Sequence, residues 1–366
     1  MDTMRDSWPW LRRMGRSLEA DAVGRVLTFR RDASSAGYRI SLDLEDIEEL
    51  FSLATAGQRA GLEQDIKLAI AATLDYAQKT SKLRYCLLNL YDLQSEVPRP
   101  WGKAHNTADT QRACPLYEFY LGRMVGCWSP PTAEMQNTVI TFNYDLLVEH
   151  ALRALNVDYD YGFDPNTIET VDCPGHKTGA NLLLLKLHGS VNWSVPAKGR
   201  ASADKVRTDK INLFSDFFSL RSREGEPELI PPSWSKVIAE PLSQVWSRAV
   251  ESLKTATRVI ILGYSMRVTD QHFKHLLAAG LQENISLRSL IVVNDQLRDG
   301  APGGSIIRER ASALFSPQLS HQCILHLEGS TISSFFSNKD CRRAINRRVP
   351  PVFSEELVYI EPVLGT

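Results

Sequence analysis

Apolar residues change their spacing near residue 138, and the two parts of the chain predict different elements. Upstream, Leu42, Leu44, Ile47, Leu50 and Phe51 recur at helical spacing with acids between them. Ile66, Ile70 and Leu74 continue this pattern over residues 62–78, so the first quarter reads as mainly helical. Residues 94–112 are polar and carry Pro98, Pro100 and Trp101, the pattern of a long surface loop. Tyr117, Tyr120, Leu121 and Met124 predict a further helix, ended by Ser129-Pro130-Pro131.

From residue 138 onward, short and partly β-branched apolar runs each end in a polar or glycine corner. They are 138–142 before Asn143-Tyr144-Asp145, 182–187 before His188-Gly189-Ser190, 259–262 before Gly263-Tyr264-Ser265, and 290–293 before Asn294-Asp295. A weaker fifth run, 323–327, precedes Glu328-Gly329. Runs that are apolar on both faces fit buried strands of a parallel sheet. Helical patterns lie between them: Leu147, Ala151, Ala154 and Leu155; Val245, Trp246, Ala249, Leu253 and Ala256; then Phe273, Leu276 and Leu277, with Thr269 or Asp270 as N-cap. This alternation predicts an α/β fold with a doubly wound, Rossmann-like parallel sheet and a largely helical N-terminal region. The expected layout is one unit over 1–330, with a helical subregion at about 40–128 and an insertion at about 193–240 that breaks the rhythm. Residues 331–366, basic and then proline-containing, are expected to form a peripheral tail.

Open parallel sheets bind ligands beyond the carboxyl ends of their strands. Those ends supply Asn143, Asp145, His188, Ser190, Ser265 and Asn294, a concentrated polar set where a site is expected. Each also has an ordinary structural reading: Asp145 as a helix cap, Ser190 and Asn294 as turn formers.

Composition narrows the classes. The 366 residues carry 42 Lys plus Arg and 43 Asp plus Glu, so no general field favours nucleic acid or anionic membranes. No run approaches the roughly 18 apolar residues of a membrane span, and the N-terminus has no apolar core of a secretory signal, so a cytoplasmic protein is expected. The six cysteines, at 86, 114, 127, 173, 323 and 341, form no close pair, so reduced thiols and no metal site are expected.

Thr141-Phe142-Asn143-Tyr144-Asp145, Lys186-Leu187-His188-Gly189-Ser190 and Leu262-Gly263-Tyr264-Ser265 resemble the sirtuin-like fold, and its bacterial branch more closely than the protein deacetylases. Ile47-Glu48-Glu49-Leu50-Phe51, Val191-Asn192-Trp193 and Pro231-Pro232-Ser233-Trp234 add to a resemblance that covers most of 1–330. The resemblance implies a protein that binds NAD and breaks its nicotinamide–ribose bond. It implies His188 as general base on a ribose hydroxyl or water, an imidazole suiting a task near neutrality. Asn143 would orient the ribose and the water, and Asp145 would sit near the nicotinamide carboxamide. Gly189, Ser190, Gly263, Ser265 and Asn294 would contact the rest of the dinucleotide. No zinc is expected, because the paired cysteines of the deacetylases are missing; this favours NAD hydrolysis over protein deacylation. In the bacterial branch such hydrolysis commonly serves antiphage defence by draining NAD. A homo-oligomer or a sensor subunit are the expected partners.

The family also opens with a strand and a G-A-G-x-S loop that cradles the pyrophosphate, and no such strand and loop precede Met1-Asp2-Thr3-Met4. A truncated start is the expectation, with a central strand missing and sheet edges left open. Without that loop the chain could instead be a weak or inactive NAD or ADP-ribose-binding module. A further alternative is a serine hydrolase using Ser265, Asp295 and His321 or His326, although Arg267 stands where a nucleophile elbow needs glycine. A Rossmann dehydrogenase is disfavoured, since no G-x-G-x-x-G follows a strand.

Overall fold

The computed structural model describes residues 1–37, 43–57, 61–80, 121–122, 137–198, 206–207, 209–231, 238, 240–266, 270–298, 300–301, 303–316, 319, 323–330, 335 and 357–361. The N-terminal apolar stripes fold as α1 (Asp2–Arg13), α2 (Ser17–Gly37), α3 (Ile47–Ala56) and α4 (Leu62–Thr80). Asp46 caps α3, its carboxylate accepting the Glu48 N–H at 2.8 Å, which satisfies one of the free donors of the first turn. The expected 94–112 loop, and the helix expected around Tyr117 apart from residues 121–122, lie outside the described residues.

Downstream, the alternating elements are β1 (Asn137–Thr141), α5 (Leu147–Ala154), β2 (Leu182–Lys186), α6 (Phe217–Ser222), α7 (Leu242–Thr255), β3 (Arg258–Leu262), α8 (Gln271–Leu281), β4 (Ser289–Val293), α9 (Gly304–Leu314), β5 (Ile324–Glu328) and β6 (Leu357–Glu361). The strands form one six-stranded sheet in the order β5-β4-β3-β6-β1-β2, and every neighbouring pair is parallel. All five residues of β1 and of β3 are buried, as expected for strands covered on both faces. This mixed α/β architecture with a helical N-terminus is compatible with a Rossmann-like fold. Asp270 caps α8 through the Phe273 N–H.

The position of β6 corrects two expectations. Residues 357–361 are not part of a peripheral tail, and the centre of the sheet is not open. Leu357 pairs with both Asn137 and Arg258, and Ile360 with both Ile140 and Ile261, so β6 closes the ladder between β1 and β3. The physical reason is the pairing itself. Without it, β1 and β3 would each leave a row of buried N–H and C=O groups unmatched. The other residues of 331–366, Phe335 apart, lie outside the described set.

The region expected as an insertion contributes short strands and α6. Trp193–Ser194 and Ile168–Asp172 flank Ile211–Phe214 in a small three-stranded sheet. Apolar side chains gather in two cores. One follows the main sheet and contains Phe142, Leu184, Ile260 and Val292. The other joins α1–α4, through residues such as Val26, Phe51 and Ile66, to Tyr144, Leu146, Val191, Phe217 and Leu229. A partly buried cluster of ions reinforces this second contact: Arg16 meets Asp75 at 2.5 Å, and Arg221 meets Glu19 at 3.2 Å. The helical region is therefore packed against the corners that follow β1 and β2.

Candidate functional site

Parallel register brings the first two corners together. Thr141 pairs with Lys186, and the Leu187 N–H still donates to the Thr141 carbonyl at 2.9 Å. Two residues further on come Asn143 and His188. The His188 ring lies 4.9 Å from Phe142 and 6.2 Å from Tyr144, the residues on either side of Asn143. Phe142 belongs to the sheet core and Tyr144 to the helical core, so Asn143 stands at the seam between them.

Backbone hydrogen bonds lock this seam. Val191 N–H donates to the Tyr144 carbonyl at 3.1 Å, and Ile230 N–H to the His188 carbonyl at 2.9 Å. The Tyr144 hydroxyl donates to the Ile230 carbonyl at 2.6 Å. Gly189 has φ +87°, and a Cβ there would sit 2.1 Å from the Glu228 carbonyl oxygen, so the turn accepts no side chain. Trp246 of α7 donates its indole N–H to the Leu187 carbonyl at 2.8 Å.

Asp145 lies two residues ahead of α5, whose N-cap is Leu146, and its Oδ1 accepts the Leu147 N–H at 2.9 Å. Its Oδ2 is buried and has no hydrogen-bond partner among the described residues. Burial pushes the Asp145 carboxyl above the usual carboxylate range; the Lys186 charge and the Leu147 N–H oppose this, and Glu149 adds to it. Ser190 shares its hydroxyl between Asn192 Oδ1 at 2.7 Å and the Tyr144 carbonyl at 3.4 Å.

The other corners are joined to the first two through aromatic rings. Tyr264, after β3, stacks on Phe142 with centroids 6.5 Å apart. Asn294, after β4, donates its amide to the Tyr264 carbonyl at 3.2 Å and accepts the Gln296 N–H at 2.9 Å. Asn294 thus caps the turn that follows β4, its ordinary structural reading. Gly263 is exposed with φ +64°, and Ser265 is half-buried with its carbonyl accepting from Arg310 at 3.0 Å.

The eight predicted positions therefore fall in two groups. Asn143, Asp145, His188, Gly189 and Ser190 surround the seam, whereas Gly263, Ser265 and Asn294 form the neighbouring rim. The seam is closed: His188 is 2% exposed and Asn143 5%. Of the serine-hydrolase residues, His326 lies on β5 with Nε2 3.1 Å from Glu328, and His321 is outside the described residues.

Several neighbours were not singled out from the sequence. His272 stands 6.3 Å from His188, and Trp246 5.5 Å from His272, centroid to centroid. Both sit on helical faces that look like ordinary amphipathic patterning. Lys186 had a legible signal, a lone charge inside an otherwise apolar strand; it is 1% exposed. Among the described residues, no group of three or more His, Cys, Asp or Glu is placed to hold a metal ion, and no helix is long and apolar enough to cross a membrane.

Residues 137–302 match the family described as SIR2-like domain. The match starts at the first residue of β1 and includes Asn143, His188, Gly263 and Asn294. It supports a sirtuin-like family and an NAD-related function in general. No curated protein matches the chain.

Proposed function

We propose that the protein hydrolyses NAD at the nicotinamide–ribose bond, and that this serves bacterial antiphage defence by NAD depletion. The observation that carries the reading is that the corners bearing Asn143 and His188 lie side by side at one end of β1 and β2, with the His188 ring against both neighbours of Asn143, within the SIR2-like segment. His188 takes a proton from a ribose hydroxyl or from the attacking water, and Asn143 orients the sugar and that water. The unpartnered Asp145 Oδ2 is an acceptor of the kind that a nicotinamide carboxamide N–H would satisfy. The pyridinium carries positive charge and leaves as neutral nicotinamide, so water completes the displacement at the sugar. Gly263 and Ser265 let backbone and hydroxyl approach the phosphates and adenosine ribose, beside Asn294. Because His188 and Asn143 are buried, substrate entry requires the aromatic cover around the seam to open.

The test is NAD consumption by the purified protein beside His188→Ala and Asn143→Ala. Turnover lost in both variants supports the reading; turnover retained in both refutes it.

A second reading is favoured by two observations: the imidazole is 2% exposed, and a C-terminal strand occupies the middle of the sheet. On this reading the chain binds NAD or ADP-ribose without consuming it. Calorimetric binding of ADP-ribose, with no nicotinamide released from NAD, would select it.

A further inference from the structure

We infer that Lys186, with Glu149 as its counter-charge, is the positioning residue of the Asn143–His188 seam; for its effect on turnover this rests on the proposed NAD hydrolysis. Lys186 ends β2, two residues before His188, and points across to the corner after β1. Its ammonium donates to the Asp145 carbonyl and to Glu149 Oε1, the latter at 2.8 Å. Both side chains are at most 2% exposed.

From this pair a chain of hydrogen bonds runs through the interior. The Tyr161 hydroxyl donates to Glu149 Oε1 at 3.1 Å, and Asn192 Nδ2 donates to the Tyr161 hydroxyl at 3.4 Å and to the Phe214 carbonyl at 2.7 Å. Asn192 Oδ1 accepts from Ser190, whose hydroxyl also faces the Tyr144 carbonyl. The chain begins on the carbonyl of Asp145 and ends on the carbonyl of Tyr144. It therefore ties adjacent peptide groups of one corner to both sides of His188 in the other.

A buried ion pair is a poor device for stability alone, since well-packed apolar residues of similar volume serve as well or better. What this pair adds is direction. Two backbone carbonyls beside Asn143 are held at fixed points by groups that cannot slide as methyl groups can. Small displacements of reacting groups are costly to rate, so a fixed seam matters for chemistry more than for folding.

The experiment replaces both charges together, Lys186→Met with Glu149→Met, so that no lone buried charge remains. Tyr161→Phe serves as a milder second variant that breaks the chain in its middle and keeps the ring packed on Trp193. Each is followed by NAD turnover and by amide hydrogen exchange. The expected result is kcat lower by about 10- to 100-fold in the double variant with KM nearly unchanged. Amides of 142–147 and 187–192 should exchange faster, while those of β3 and β4 keep their protection. Tyr161→Phe should show both effects more weakly. A folded double variant with unchanged kcat and unchanged local exchange overturns the inference, as does a uniform loss of protection in both variants. If the wild-type protein consumes no NAD, the proposed function fails; local exchange in 142–147 and 187–192 then decides alone whether the pair holds the seam.

Discussion

Asn143 and His188 lie two residues beyond the last paired positions of two parallel strands, Thr141 and Lys186, and the ring of His188 is flanked by Phe142 and Tyr144. Each neighbour of Asn143 is anchored in a different core, so the amide between them is placed by the packing of both. The geometry follows from register, and register in a doubly buried strand is set by which side chains must face which layer.

The turn at Gly189 has no room for a methyl group. Gly189→Ala would put its Cβ 2.1 Å from the Glu228 carbonyl oxygen and a non-glycine residue at φ +87°. Stability should fall by more than about 3 kcal/mol, combining backbone strain with a clash that displaces the adjoining strand. Denaturant unfolding of the two proteins measures this directly.

Tyr144→Phe removes the hydroxyl that bonds the Ile230 carbonyl at 2.6 Å and keeps the ring. The carbonyl is left buried without that donor, which should cost about 1–3 kcal/mol. A thermal shift within error of wild type would show that another donor replaces the hydroxyl.

Asp145 makes stability depend on pH in an unusual direction. Its carboxyl is raised in the folded protein, chiefly by burial. The native state therefore holds a proton more tightly than the unfolded chain does. The contribution is full below the unfolded carboxylate value of about 3.9 and is lost as pH rises through the folded value. Asp145→Asn keeps an oxygen for the Leu147 N–H but no longer titrates. The variant should gain stability relative to wild type as pH rises from about 4 toward 7, in denaturant titrations across that window.

Strand β6 is hydrogen-bonded on both sides. Tyr359→Pro removes a donor from the middle of the ladder, where proline is not tolerated. Loss of cooperative unfolding, or a large fall in midpoint temperature, is expected. A variant as stable as wild type would mean that β1 and β3 do not depend on this strand.

Much of the fold was legible. Five of the six sheet strands fall within one residue of the apolar runs read from the chain, because strands covered on both faces are apolar nearly throughout; the weakest run belongs to the edge strand β5, where His326 is exposed. The corner residues were legible for the same reason, since polar groups right after such runs stand out. The sixth strand was not. Its five residues, Leu357–Glu361, follow a basic and proline-bearing stretch, and local pattern carries no information about which distant strands it will join. Lys186 could have been flagged as a charge inside a buried run, but its partner could not, because Glu149 lies on a different element.

By itself, the sequence determined where five of the six sheet strands form and which polar side chains follow them, since both follow from nearest-neighbour chemistry and side-chain periodicity. Only the tertiary structure decided that residues 357–361 close the centre of the sheet, that the seam residues are buried between two cores, and that an ion pair ties the two corners together. Those features depend on contacts between segments far apart in the chain, and their free energy exists only once the segments are packed.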